Sequence, residues 1–392
     1  MRRLSSPALE DPGDLELETV DSVDSFDALA AAGWDDLVQG MPRPSPFLLH
    51  GWLSAWWRHE SHGAELAVQV ARRGGRLVGA LPLCIAQRRG LRVTMFLGGV
   101  HSALADLMVA GTEPESTGRA LAERATELDH DLADLFGLPA SSRLEEALGT
   151  RLRVIERIEA PVLDLSIGWD AAYRAKTDSK KRNLHKRRRR QLSELGTLEV
   201  ARARLLAELE PALADAVHLH ELRWSGRPDG SGFATDDGRL FNREALTALA
   251  ADDVARIVTL KLDGRPIAFH YYLVFAQRMY VYRLAFDPEF ARFSPGLLAT
   301  LDALEWAGDE GLDRVEYLGG DERYKLELSD RLEPLSQGIG LARTNRGKVY
   351  VTARLVAINL RLRLKRSPRL HKLYFDTLAP ARRLVARRSR SR

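Results

Sequence analysis

The stretch IVTLKLDGRPIAFHYYLVFAQRMYVYRLAF, Ile257 to Phe286, decides the fold. It reads as three strands: Ile257 to Leu262, a turn at Asp263-Gly264, Arg265 to Phe275, a turn at Ala276-Gln277-Arg278, and Tyr280 to Phe286. β-branched and aromatic residues fill the runs, and turn-forming residues punctuate them. Roughly 190 residues earlier the same meander is written as LAVQVARRGGRLVGALPLCIAQRRGLRVTMFL, Leu66 to Leu97. Here the strands are Leu66 to Val70, Arg76 to Ile85 and Leu91 to Leu97, with turns at Gly74-Gly75 and Ala86-Gln87-Arg88. Both middle strands open on Gly-Arg and close on Ala-Gln-Arg. A matched order of strands and turns predicts a duplicated domain.

Only the second copy runs into a helix whose first turn suits an anion. In Arg292-Phe293-Ser294-Pro295-Gly296, Ser294 is a good N-cap and Pro295 suits the first helical position, while Leu297, Leu301 and Leu304 supply a buried stripe. Helix amino ends present unpaired N–H groups and partial positive charge. Gly296 carries no Cβ to hold a ligand away, and Arg292 adds a cation. At the matching place in the first copy stand Glu113, Pro114 and Glu115, which would repel a phosphate.

A chain of 392 residues exceeds one hydrophobic core and fits two. Its single cysteine, Cys84, excludes a disulfide within the chain and reads as a buried structural thiol. No apolar run approaches the roughly 20 residues that cross a bilayer, and the amino-terminal Met1-Arg2-Arg3 turns acidic rather than apolar, so a cytoplasmic location is expected. The net charge of +4 is unevenly spread: from Arg343 onward 16 Lys and Arg face one acid, Asp376 (+15), leaving the rest at −11. A basic tail on an acidic body points to an anionic surface, membrane headgroups at the inner face or nucleic acid, or else to a solvated terminus.

The expected order is a flexible leader (1–18), a first domain (19–165), a basic connecting helix (166–196), a second domain (197–345) and a basic helical or disordered tail (346–392). Trp52, Leu53, Trp56 and Trp57 form a core stripe at helical spacing. Trp169 to Leu195 reads as one long helix, with eight basic residues among the eleven from Lys180 to Arg190. Those guanidinium forks match phosphate oxygens, but no interleaved aromatic residues or helix-turn-helix spacing accompany them, so no sequence-specific nucleic-acid partner is expected. The ten histidines show no ligand spacing, and no metal is expected.

Further motifs carry a family resemblance. Ser179-Lys180-Lys181-Arg182-Asn183-Leu184, Arg223-Trp224, Asp263 to Ala268, Phe286-Asp287-Pro288 with Ser294-Pro295-Gly296, and Gly320-Asp321 with Tyr324-Lys325 resemble the CelD-type acetyltransferases. These are duplicated GNAT proteins associated with exopolysaccharide and cellulose synthesis and distantly similar to the FemABX peptidyltransferases. The resemblance spans about Pro46 to Gly340. It implies an α/β (α+β) fold of tandem GNAT-like domains, each a mixed, mostly antiparallel sheet flanked by helices. It also implies acetyl-CoA or another acyl-CoA as co-substrate, and a small-molecule or glycan-precursor acceptor. By the same resemblance the donor would lie against Leu284, Ala285, Phe286, Arg292, Ser294, Pro295 and Gly296, with an oxyanion-stabilising amide among Leu284 to Phe286. A single glycine departs from the usual phosphate loop and keeps open a FemABX-like donor, charged tRNA. A non-catalytic scaffold docked through the tail is the rival from another class.

Proton transfer could fall to Glu316, Asp321, Tyr324 or Lys325, just past the strand that follows the helix, or to His270. Asp321 follows Gly319-Gly320 on a tight turn at a strand end, or merely caps that turn. Tyr324 could protonate a thiolate or simply pack under the helix, and His270 lies among Phe269, Tyr271 and Tyr272 on the middle strand. Lys180, Arg182, Arg223, Trp224 and Lys325 are the candidates for substrate contacts.

Overall fold

A computed structural model describes residues 14–224, 232–320 and 322–366. The first half runs β1 (Leu15–Val20), α1 (Val23–Ala31), α2 (Trp34–Gln39), α3 (His50–Glu60), β2 (Glu65–Leu66), β3 (Val68–Arg73), β4 (Arg76–Leu81), β5 (Leu83–Arg88), β6 (Leu91–Phe96), β7 (Met108–Val109), α4 (Glu115–Glu127), β8 (Leu132–Pro139), α5 (Arg143–Leu148) and β9 (Leu152–Ile158). Then come β10 (Pro161–Asp164), α6 (Trp169–Lys176), α7 (Ser179–Ser193), β11 (Leu198–Ala203), α8 (Leu206–Trp224), α9 (Asp236–Ala251), β12 (Ala255–Leu262), β13 (Arg265–Phe275), β14 (Arg278–Phe286), α10 (Pro295–Asp309), β15 (Arg314–Glu316), α11 (Arg323–Glu327), β16 (Arg331–Leu332), β17 (Leu335–Gly340) and α12 (Asn345–Arg366).

The second meander forms as expected, β12 to β14, with its turn at Ala276-Gln277. The first is broken. Pro82 has no N–H to donate, and the middle strand divides there: β4 pairs in a four-stranded sheet (β1-β3-β4-β7) and β5 in a six-stranded one (β2-β5-β6-β8-β17-β9). Its second turn falls at Arg89-Gly90, because Ala86, Gln87 and Arg88 stay paired with β6. In both halves a helix crosses between parallel strands, α4 between β6 and β8 and α10 between β14 and β15. The architecture is α/β: the second half is built on one mixed, mostly antiparallel sheet and the first half on a four-stranded antiparallel and a six-stranded mixed sheet, with helices against them.

Each half also lends a strand to the other. β10 lies between β15 and β16 in the seven-stranded second sheet, and β17 lies between β8 and β9 in the first-half sheet. Residues 161–164 and 335–340 therefore pair across the boundaries at 165 and 197. The largest apolar cluster is likewise shared, running from Trp34, Phe47 and Trp52 through Phe241 to Tyr271 and Tyr280. Cys84 is buried within it, and burial pushes its thiol up to about 12, an unreactive thiol.

Two further expectations are corrected. Residues 14–18 are not leader: Leu15–Val20 is an edge strand antiparallel to β3, and the alternation of Leu15, Glu16, Leu17 and Glu18 is its signature. Trp169 to Leu195 is two helices. Thr177 is extended, its hydroxyl bonding the Tyr173 carbonyl, and Asp178 restarts the chain as N-cap by accepting from the Lys181 amide at 2.7 Å. Helix α8 starts at Leu206 and holds Pro211 inside it.

Candidate active site

Strands β14 and β15 pair for only three residues, Arg278↔Arg314, Met279↔Val315 and Tyr280↔Glu316. Beyond Tyr280, β14 stays paired with β13 but has lost its neighbour on the other side. The ladder slips there: Tyr271 faces Arg283 and Tyr272 faces Val281, so Tyr282 is the extra residue of a β-bulge. A bulge re-aims backbone groups, and along the open edge alternate amides of β14 face away from β13. Sequence had put the oxyanion amide at Leu284 to Phe286. These residues pair in regular register with His270, Phe269 and Ala268, so the irregular backbone lies ahead of them, at Tyr282. On the other side of the opening β15 ends at Glu316, and beyond it come Leu318, a non-glycine residue at φ +57°, and Gly320 at φ +132°. Strained backbone of this kind persists where its surroundings dictate it.

At the amino end of α10, Ser294 adopts φ +54° and its side chain makes no cap; its carbonyl instead accepts from the Leu298 amide. The expected N-cap is therefore absent, because the preceding 3-10 turn Pro288–Phe293 delivers Ser294 in the left-handed region. Pro295 is the first helical residue, and the amides of Gly296 and Leu297 have no acceptor among the described residues. The bare Cα of Gly296 serves packing as well: a Cβ there would come within 2.9 Å of the Phe286 ring. Arg223, from the end of α8, lies over the same ring at 4.7 Å, and Arg292 is exposed with its guanidinium over Phe293. Arg223 and Gly296 thus meet on the Phe286 ring, Arg292 lies apart over Phe293, and the face intended for a ligand on Gly296 is occupied by Phe286. Trp224 adjoins Arg223 and is 38% exposed.

α7 packs on that 3-10 turn and is tied to α10 by Arg189–Asp302 at 2.5 Å and to α11 by Lys181–Glu327 at 3.4 Å. Lys180 is exposed, whereas Arg182 bonds the Thr177 carbonyl and so closes the helix break. Between α6, α7 and α10 runs a groove of about 590 Å³ lined by Trp169, Tyr173 and Arg189. The first-half counterpart is a cavity of about 380 Å³ at the start of α4, edged by Glu113, Glu115 and Glu146. A hydrogen bond from Arg73 holds the Glu113 carboxyl below its usual range, and Arg119 and Arg143 also line this end, so its charges are mixed rather than cationic.

The predicted proton-transfer residues fare unequally. Asp321 lies outside the described residues. Glu316 is fully buried against three guanidiniums, Arg43 at 2.6 Å, Arg314 at 2.7 Å and Arg278 at 3.8 Å, which occupies it structurally. Lys325 is buried too, donating to the Gly319 carbonyl and pairing with Glu322 at 2.9 Å; it steadies the turn past β15. Tyr324 stands edge-on to Tyr317 with its hydroxyl unpartnered among the described residues, and burial raises its proton affinity. His270 is fully buried with neither ring nitrogen partnered among those residues; burial, then the charge of Lys325, pushes it down to about 3.

A cluster that sequence reasoning missed gathers on the opposite face of the bulge. The Tyr282 hydroxyl donates to Asn242 Oδ1 at 3.0 Å and lies 3.3 Å from His101 Nδ1, which must then be the donor between them. Burial, then Arg283, pushes His101 down to about 3, so it is neutral. Arg283 stacks over Tyr282 at 4.8 Å, and both the buried Tyr271 hydroxyl and Arg283 Nε lack partners among the described residues. Glu60, at the end of α3, faces this cation; burial holds its carboxyl above the usual range, its Oε2 lies 3.7 Å from His62 Nε2, and its Oε1 has no partner among the described residues. Five separate elements supply these groups, namely α3, the 3-10 turn Gly99–His101, α9, β13 and β14, and no local motif announces them.

Residues 179–326 match the acetyltransferase (GNAT) domain family. The matched segment contains the opened β14–β15 pair and α10. No curated protein matches the chain. Among solved structures, a conserved protein of unknown function from Bacteroides thetaiotaomicron is 13% identical, with a TM-score of 0.55 over 83% of this chain and 100% of that one. FemX is 12% identical, with a TM-score of 0.55 over 81% of this chain and 96% of that one. Both are likenesses of fold. Acyl-CoA is the donor that the family match implies; Gly296 is buried against Phe286, so the groups at the start of α10 suited to a phosphate are the half-buried Leu297 amide and the exposed Arg292.

Proposed function

We propose that the chain transfers an acyl group, acetyl first among them, from coenzyme A to an amine or hydroxyl of a small acceptor. Resemblance to the CelD-type enzymes suggests a sugar or cell-envelope precursor met in the cytoplasm. What supports acyl transfer is the β14–β15 opening with its bulge at Tyr282, leading directly into the free amides of α10. Acyl-CoA supplies a thioester carbon already open to attack. The acceptor heteroatom bonds to that carbon and loses a proton as the C–S bond breaks, and the departing sulfur takes a proton up. Glu60, with raised proton affinity and a free Oε1, is the best-placed proton acceptor on the first-half side. Tyr324 keeps its proton at neutral pH and can donate it, and outward amides near the bulge stabilise charge on the carbonyl oxygen.

Isothermal titration with acetyl-CoA tests the donor site. Micromolar affinity is expected for the native chain, weakened about tenfold or more in Arg292→Glu, an exposed position whose reversal puts an acid beside the helix end. No heat at millimolar ligand would end the proposal. The cation-rich α7 beside the same 3-10 turn supports a second reading, transfer from charged tRNA; product formation stimulated by aminoacyl-tRNA and indifferent to acetyl-CoA would select it.

A further inference from the structure

We propose that the outward face of α12 is a docking surface for an anionic phospholipid bilayer. This helix, Asn345–Arg366, contains seven Lys and Arg and no acid. Its inner side is anchored: Tyr350, Val351 and Leu355 pack on Leu91, Val93, Leu132 and Ile339 of the first-half sheet. Gly347 lies so close to the Asp131 backbone that a Cβ would come within 2.0 Å of the carbonyl, and Arg346 bonds the Gly90 carbonyl. The helix therefore does not turn over to hide its other side.

That other side is apolar. Val349, Val356 and Leu360 are 70%, 60% and 56% exposed, at spacings of seven and four that place them in one stripe at about 3.6 residues per turn. Single exposed apolar residues are ordinary, but a stripe opposite an anchored face is an unmet surface. Lys348 and Arg363, both exposed, flank it. Apolar residues that sink into the acyl boundary beside cations that meet headgroups are the elements of an interfacial helix. Charge decides the occupant. Two copies of a helix with seven cations and no acid repel each other, whereas an anionic bilayer attracts it. The sequence that follows, 367–392, adds eight Lys and Arg against Asp376 alone. Among the described residues no helix is long and apolar enough to cross a membrane, so the contact is peripheral. Nothing in this inference depends on acyl transfer.

Flotation of the full chain with vesicles of phosphatidylcholine, alone or with about a third phosphatidylglycerol, tests it. Partitioning is expected to be at least about tenfold stronger on the anionic vesicles. The triple variant Val349→Ser, Val356→Ser, Leu360→Ser should lose at least about tenfold, as should Lys348→Glu with Arg363→Glu, with thermal midpoints unchanged because all five side chains are exposed. Three results would overturn the inference: no flotation with either vesicle; a triple variant that floats as the native chain does, which would assign the contact to 367–392 alone; or a native dimer in sedimentation velocity that the triple variant dissolves, which would make a second copy the partner.

Discussion

Glu316→Gln is expected to destabilise the protein by about 3–5 kcal/mol, the largest effect of any single side chain discussed here. The Glu316 carboxylate has no exposed surface and is the shared counter-charge of Arg43, Arg314 and Arg278. Arg43 comes from the loop after α2 in the first half and also donates to the Glu333 carbonyl at 3.2 Å; Arg314 and Arg278 begin the adjacent strands β15 and β14. A neutral amide at 316 would leave three buried or half-buried guanidiniums without their central anion, and removing one member of a buried charge cluster costs far more than the cluster contributes relative to an apolar replacement. The same cluster sits at Tyr280↔Glu316, the last paired rung before the sheet opens, so its loss should also loosen the opening. Urea titration of Glu316→Gln against the native chain measures the effect. The more exposed Arg331→Ala, which removes only a bridge to Glu333, should stay within about 1 kcal/mol and serves as the control. A Glu316→Gln value as small as the control would refute the role given to this cluster.

Much of the fold was legible because its signals are local. Alternating apolar strands, the Asp263-Gly264 and Gly74-Gly75 turns and the Pro295 helix start each lie within a few residues, and each is formed. What stayed hidden depends on distant pairing. Nothing in Pro161–Asp164 or Leu335–Gly340 states which half's sheet will take it, since any short apolar strand satisfies either edge. Thr177-Asp178 could have been read as a helix break, the Asp-x-x pattern being an N-cap signal, but the basic run on its far side masked it. The candidate site divides the same way. Arg223, Phe286, Arg292 and Gly296 follow from motifs; Glu60, His101 and Asn242 meet Tyr282 only because the two halves share one core, and an extra residue in β14 has no signature of its own. Glu316 shows the opposite failure, a residue with the right chemistry at the right strand end whose three arginine partners are invisible until the chain is folded.

Acid should unfold this protein well before its carboxylates titrate, and His270 should be a principal cause. Folded, His270 and His101 are buried and neutral, both pushed down to about 3; unfolded, each returns to about 6.5. Between those values the unfolded chain binds more protons, so stability is fully present above about pH 6.5 and falls as pH drops toward 3. At pH 5 each histidine costs about 2 kcal/mol relative to neutral pH. Glu333 acts in a separate, lower window. Burial pushes its carboxyl up, but bonds from Arg314 and Arg331 outweigh that and hold it at about 2, so its contribution is lost only below about pH 4.5. Buried acids such as Asp106 and Asp302, raised by desolvation, work against the histidines in part, which makes a difference measurement necessary. His270→Leu supplies it. Neither nitrogen of His270 has a partner among the described residues, so an apolar side chain of similar size abandons no hydrogen bond that the folded protein shows. The gap in unfolding free energy between variant and native chain should widen in the variant's favour by about 2 kcal/mol from pH 7 to pH 5. A gap that stays constant with pH would mean that His270 is protonated or solvated in the folded protein, and would place water or a charged partner inside the β13–β14 face.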